Sequence, residues 1–181
     1  MKVLTCGGSK SGKSAFAEKL AVRLAAGKAL YYVATMIPRD EEDERRIEKH
    51  RAARAGKGFR TLEVGRGAEN VLQLIEPGST VLVDSVTSLL LNELYPDAHS
   101  GKADENGKTR CLNGLLQIAG RAENAVFVSD FIFSDAARYD EFTESFRRAL
   151  AYLNNSLAGE CDTVAELCAG NVIYHKGGTT L

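Results

Sequence analysis

The sequence predicts an α/β fold, a three-layer sandwich whose mostly parallel sheet carries an antiparallel strand at its C-terminal end. Three observations lead there. Short apolar runs of strand type alternate with segments of helix type. A glycine-rich turn, Gly7 to Ser14, stands between the first strand and the first helix. The last two apolar runs, between Thr163 and Lys176, flank Gly170-Asn171 closely enough to pair antiparallel. At 181 residues, the length suits one domain spanning 1–181.

The elements follow in order. Lys2 to Cys6 is a short apolar strand that runs straight into the glycine turn. Ala15, Phe16, Leu20 and Leu24 then recur at helical spacing, and Gly27 is a natural stop. Ala29 to Thr35 (ALYYVAT) is a continuous apolar stretch, the pattern of a strand buried on both faces. Arg39 to Gly56 (RDEEDERRIEKHRAARAG) is helix-forming but charged almost all round, with Ile47 its single large apolar residue. Such a helix is either solvated or covers something functional. Thr80 to Asp84 (TVLVD) is a second buried strand, and Val86 to Leu94 continues it as an apolar helix. Residues 96–110 are polar and contain two glycines, as in a mobile loop or lid. Ala125 to Ser129 (AVFVS) is another strand, followed by Asp130. Phe142, Phe146, Ala149, Leu153 and Leu157 mark one face of a helix.

Composition narrows the function. With 23 basic against 24 acidic residues the net charge is −1, which gives no support to a nucleic-acid partner. No apolar run is long enough to span a bilayer, and a cytoplasmic location is expected. The four cysteines, at 6, 111, 161 and 168, have neither CxxC spacing nor histidine neighbours at metal-ligand distance. Reduced thiols are therefore expected in place of disulfides or a zinc site.

Gly7-Gly8-Ser9-Lys10-Ser11-Gly12-Lys13-Ser14 fits G-x-x-x-x-G-K-[ST] in full. Its glycines let successive backbone N–H groups turn towards phosphate oxygens, and the following helix adds its positive end. Lys13 is expected on the β- and γ-phosphates of a nucleoside triphosphate, and the Ser14 hydroxyl on Mg²⁺. The sandwich is thus expected to be P-loop NTPase-like. An acidic residue at a strand end should also serve the metal. Asp84 and Asp130 both qualify, and Asp84 ends the cleaner buried run.

Of the three histidines, His99 lies in the polar loop and His175 near the C-terminus. His50 sits on the charged helix with Arg46, Arg51 and Arg54 around it. Basic neighbours favour a neutral, nucleophilic imidazole and can also hold phosphate.

Three segments together resemble the bifunctional adenosylcobinamide kinase/adenosylcobinamide-phosphate guanylyltransferase family of cobalamin biosynthesis. They are VLTCGGSKSGKSAFAE, then YVATMIPRDEEDERRIEKHRAAR with FRTLE, and TVLVDSVTSLLLNEL. Weaker similarity continues through FRRALAYLNN. The resemblance implies phosphorylation of the corrinoid's aminopropanol hydroxyl, then GMP transfer from GTP to that phosphate by way of a histidine, here His50. It makes His50 and Lys13 catalytic and adds Thr35, Arg51 and Glu63 to the nucleotide-binding set of Gly7 to Ser14 and Asp84. It implies Mg²⁺ on Ser14 and Asp84, GTP and/or ATP with a small-molecule corrinoid as substrates, and a homo-oligomer, typically a trimer. The sequence also departs from the family. Asp130-Phe131-Ile132-Phe133 replaces its usual Asn-Glu-Val-Gly, and Arg54-Ala55 and Phe59 stand for its Arg-Pro and Trp. Two other readings accommodate these changes: a P-loop small-molecule kinase with no covalent histidine, or a nucleotide-dependent regulatory NTPase.

Overall fold

A computed structural model describes residues 1–97 and 102–178. Its elements run β1 (Lys2–Gly7), α1 (Lys13–Ala25), β2 (Leu30–Ala34), α2 (Glu41–Arg54), β3 (Arg60–Glu63), a 3-10 helix (Ala68–Leu74), β4 (Thr80–Asp84), α3 (Val86–Leu94), α4 (Gly107–Arg121), β5 (Asn124–Asp130), α5 (Glu141–Glu160), β6 (Thr163–Cys168) and β7 (Asn171–Lys176). His99 and part of the expected loop at 96–110 lie outside the described residues. The remainder of that loop is not all loop. Residues 107–110 form the first turn of α4, because Gly107 lets the helix start against the backbone of Glu93 and Leu94. Arg110 then ties Asp104 (2.8 Å) and Glu93 (3.1 Å) together.

The described residues form a seven-stranded sheet in the order β3-β2-β4-β5-β1-β6-β7. Every neighbouring pair is parallel except β6–β7, as the tight Gly170-Asn171 connection requires. Alternate residues of the central strands serve two cores. Val3, Tyr32, Leu82, Val126 and Val128 pack against Ala17, Leu20 and Ala21 of α1. Leu4, Tyr31, Val83 and Phe127 face the other way, onto Leu89, Leu115, Ile118, Leu150 and Leu153 of α3, α4 and α5. Burying one such side chain fully is worth about 1.5–3 kcal/mol, and both faces of the sheet are covered. That explains why β2, β4 and β5 read as continuous apolar runs.

The charged helix α2 is stabilised at its ends. Asp40 caps it by accepting from Asp43 N–H (2.9 Å), four acids occupy its first turn, and Arg51 and Arg54 lie in its last. This arrangement complements the helix dipole at both ends. α2 buries Arg54 and leaves its other residues partly or fully exposed.

Candidate functional site

The carboxyl ends of five parallel strands form a row, with polar residues at or just past four of them. In sheet order they are Glu63 (β3), Ala34 followed by Thr35 (β2), Asp84 (β4), Asp130 (β5) and Gly7 (β1). Adjacent strands lie about 4.8 Å apart, so the loop after β1 stands roughly 10 Å from Asp84.

The loop itself is shaped for an anion. Gly12 precedes α1 at φ 92°, a left-handed conformation that favours glycine. A Cβ on Gly7 would meet the Leu167 carbonyl oxygen at 2.7 Å. Ser11 Oγ is buried with no hydrogen-bond partner among the described residues, an orphaned donor inside the loop. Lys13 donates from Nζ to the Gly8 carbonyl (3.0 Å) and pairs with Asp130 Oδ1 (2.7 Å). Its side chain is only 11% exposed.

The two strand-end acids therefore have different partners. Asp130 faces the loop and holds its lysine. Asp84 accepts a hydrogen bond from the Tyr32 hydroxyl (2.8 Å), distant in sequence but on the adjacent strand of the sheet. Burial, reinforced by the Asp84 charge, pushes the Tyr32 phenol well above its usual range, so it stays a donor. Hard oxygens from Asp84 and Ser14 suit Mg²⁺ chemically. No group of three or more His, Cys, Asp or Glu side chains among the described residues could enclose a metal. Such an ion would then rely on phosphate and water for most of its ligands, as Mg²⁺ commonly does.

Beside the loop lies a cleft of about 340 Å³ lined by His50, Arg51 and Arg54 of α2, Glu63, Asp84, and Ser85 with Ser88 at the start of α3. The half-buried His50 is thus brought together with three of the expected nucleotide-binding residues. Arg51 pairs with Glu63. Residues Gly7 to Ser14 line a separate region, at the end of β1. Thr35 is fully buried, its hydroxyl donating to the Ser85 carbonyl (2.7 Å) and accepting from Ser85 N–H (2.8 Å). Asn92 holds the Thr35 and Gly65 carbonyls at 2.9 Å each. The Thr35 side chain acts on the cleft through the β4–α3 turn.

Two residues of this region carry little sequence signal. Tyr32 lies within an apolar run, where a hydroxyl passes for core. Ser85 caps α3 by accepting from Ser88 N–H (3.1 Å), a pattern visible as Ser-x-x-Ser but common in any helix start.

A family model described as cobinamide kinase / cobinamide phosphate guanyltransferase matches residues 3–174. The bifunctional adenosylcobalamin biosynthesis protein CobP of Pseudomonas aeruginosa is 32% identical over 178 residues, covering 98% of each chain. The corresponding protein CobU of Escherichia coli K12 is 27% identical over 179 residues, 94% of this chain and 97% of that one. Among solved structures, an ATPase domain superposes with a TM-score of 0.55 at 15% identity, covering 97% of this chain and 76% of that one. That last likeness is one of fold, and the fold is P-loop NTPase-like.

Proposed function

The chain belongs to the cobinamide kinase / cobinamide phosphate guanyltransferase family, and from that premise we propose that it phosphorylates adenosylcobinamide and then guanylylates the product through His50. The observation that carries this reading is the shared cleft of His50, Arg51, Glu63 and Asp84, set beside but apart from the phosphate loop. Two neighbouring sites suit two successive transfers.

In the first transfer the corrinoid hydroxyl oxygen attacks the γ-phosphorus of a nucleoside triphosphate. The bond to the β-phosphate oxygen breaks, a nucleoside diphosphate leaves, and the hydroxyl proton is lost. Lys13 and the backbone N–H groups of Gly7 to Ser14 hold the phosphates and neutralise charge building on the leaving group. Bound Mg²⁺, with Ser14 and Asp84 as its protein ligands, would supply further neutralisation. In the second, an imidazole nitrogen of His50 attacks the α-phosphorus of GTP, and pyrophosphate leaves with the electron pair of the broken bond. An oxygen of the corrinoid phosphate then displaces the imidazole, giving adenosylcobinamide-GDP. The covalent route divides one hard displacement into two easier ones. Arg51, with Glu63, would position the nucleotide. A homo-oligomer and a cytoplasmic location belong to the same reading.

Intact mass after incubation with Mg²⁺-GTP tests it. A GMP-sized, acid-labile adduct is expected, absent with ATP and absent from His50→Ala. Nucleotide binding without any adduct would sink the covalent step and favour a kinase that does not use this histidine.

A further inference from the structure

The transfers described above leave the β6–β7 end of the sheet without a role. A hollow of about 200 Å³ lies there, between α5 and strands β1 and β6. Leu4, Val164 and Ala158 give it apolar walls. Phe131 and Phe133 add two rings packed edge to face, their centroids 5.4 Å apart. Asn155 and Glu166 bring polar groups to it, and Glu166 pairs with His175 at 2.7 Å. The surrounding chain is tied down. Asn154 accepts from the Ser129 hydroxyl (2.6 Å) and donates to the Asp130 carbonyl (3.2 Å), which clamps the end of β5 to α5. Arg147 pairs with Glu144 (2.9 Å) and Asp135 (3.4 Å), and the Tyr139 hydroxyl donates to Asp135 (2.7 Å). The rings of Phe131 and Phe133 thus sit on a braced segment, although Phe131 is still 40% exposed.

The hollow adjoins the phosphate loop. Cys6 lines it and immediately precedes Gly7, and Phe131 lines it and follows Asp130, the partner of Lys13. Burial raises the Cys6 thiol to about 12, with the charges of Glu166 and Asp130 adding to the shift and that of Lys13 opposing it. The His50 cleft opens elsewhere, at the ends of β2 and β4. A site that encloses a whole drug-sized ligand runs to roughly 300–1,000 Å³, so this hollow suits one arm of a bulky substrate. The aminopropanol arm of a corrinoid carries an amide, a methyl group and the reacting hydroxyl within a few bonds of one another. The rings and alanine suit its carbon atoms, and Asn155 suits its amide. Phe131 and Phe133 also stand where the family usually has Glu and Gly, so this aromatic wall is particular to the chain.

We propose that this hollow holds the acceptor arm during the kinase step, with the arm's methyl group against Phe131 and Phe133, its amide at Asn155 and its hydroxyl towards Lys13. The two rings then make the enzyme selective for an arm that carries the methyl group. One carbon more or less in an apolar pocket changes kcat/KM by about 10–200-fold, and a Glu and a Gly at the same two positions would offer no such surface. The inference rests on the corrinoid reading above and adds to it where the acceptor lies and what selects it.

The test compares phosphorylation of adenosylcobinamide with that of an analogue whose arm lacks the methyl group, at saturating Mg²⁺ and nucleoside triphosphate. The native protein should favour adenosylcobinamide by about tenfold or more in kcat/KM. Phe131→Ala should remove most of that preference, chiefly through a higher KM for adenosylcobinamide, and Phe131→Leu should restore part of it. Ala151→Phe, which fills the hollow, should raise KM for both acceptors. Calorimetry with nucleotide checks that each variant is folded, and calorimetry with adenosylcobinamide reads acceptor binding directly. Phosphorylation by the native protein with no preference, or with a preference that both variants retain, would overturn the arm site and keep the kinase reading. Adenosylcobinamide that binds the native protein but not Ala151→Phe, with no phosphorylation by either, would keep the site and sink the kinase reading. Variants that lose oligomeric mass in light scattering yet retain the preference would overturn the site by assigning the hollow to a second copy of the chain. A native protein that neither binds nor phosphorylates the corrinoid would overturn both.

Discussion

Lys13 and Arg54 carry the same charge into opposite circumstances. Arg54 lacks a counter-ion among the described residues, whereas Lys13 already has one in Asp130 at 2.7 Å. An incoming phosphate must therefore compete with Asp130 for the lysine and approach a carboxylate as it does so. Replacing Asp130 by Asn should relieve both effects. In EDTA, where no metal confuses the result, Asp130→Asn is expected to bind nucleotide several-fold more tightly, about 1 kcal/mol for a partly exposed pair. Fluorescence titration checks this, and weaker binding would mean that Asp130 serves the nucleotide directly. At this scale the sequence is legible where chemistry is local. Gly12, Lys13 and Ser14 announce themselves because the motif that carries them fits within eight residues. The Tyr32–Asp84 bond spans 52 residues and joins an apolar run to an acid. No spacing rule reaches it, so the Tyr32 ring, which lies beneath Arg54, stayed hidden among core residues.

Helix α4 shows how one residue type takes opposite values along one element. Gly107 begins the helix where an added Cβ would lie 2.5 Å from the Glu93 carbonyl oxygen and 2.9 Å from Leu94 Cα. Those atoms are backbone and cannot step aside cheaply. Gly120, near the other end, has nothing within 4 Å of such a Cβ. Gly107→Ala should therefore destabilise by about 1–3 kcal/mol through overlap. Gly120→Ala should be neutral to stabilising, by up to roughly 1 kcal/mol from helix propensity. Urea unfolding of both variants separates the two effects, and a loss at Gly120 would contradict the account. The sequence displayed α2 through its charge and α5 through its period. It did not display β3, a four-residue edge strand with a mostly exposed pattern, or α4, whose first turn of glycine and polar residues looks like loop. Both are set by a neighbour, β2 in one case and the end of α3 in the other.

At the level of the whole molecule, the two-sided burial of the sheet governs its response to base. Burial, with nearby carboxylates adding to it, pushes the thiols of Cys6 and Cys161 from 9.0 up to about 12. The fold thus favours the protonated thiols. Their contribution is complete below about pH 9, where both states hold the proton. Above that the unfolded chain releases its protons first, and stability should fall from about pH 9 towards pH 12. Denaturant midpoints across that window check the slope, which Cys6→Ala should flatten. At neutral pH a thiol reagent should titrate the exposed Cys168 in the folded chain and all four cysteines after unfolding. Fold class and the antiparallel last strand were readable from alternation and from one tight turn. The strand order was not, because apolar runs state that a strand is buried without stating beside which other.

That order also has a consequence for synthesis on the ribosome. Strands β2, β3 and β4 can pair among themselves once residue 84 has emerged, but β1 pairs with β5 and β6 alone. A nascent chain stalled before residue 124 would hold every residue of the phosphate loop with no neighbouring strand to brace it. The phosphate loop, translated ahead of both strands that brace it, is among the last parts to acquire its shape.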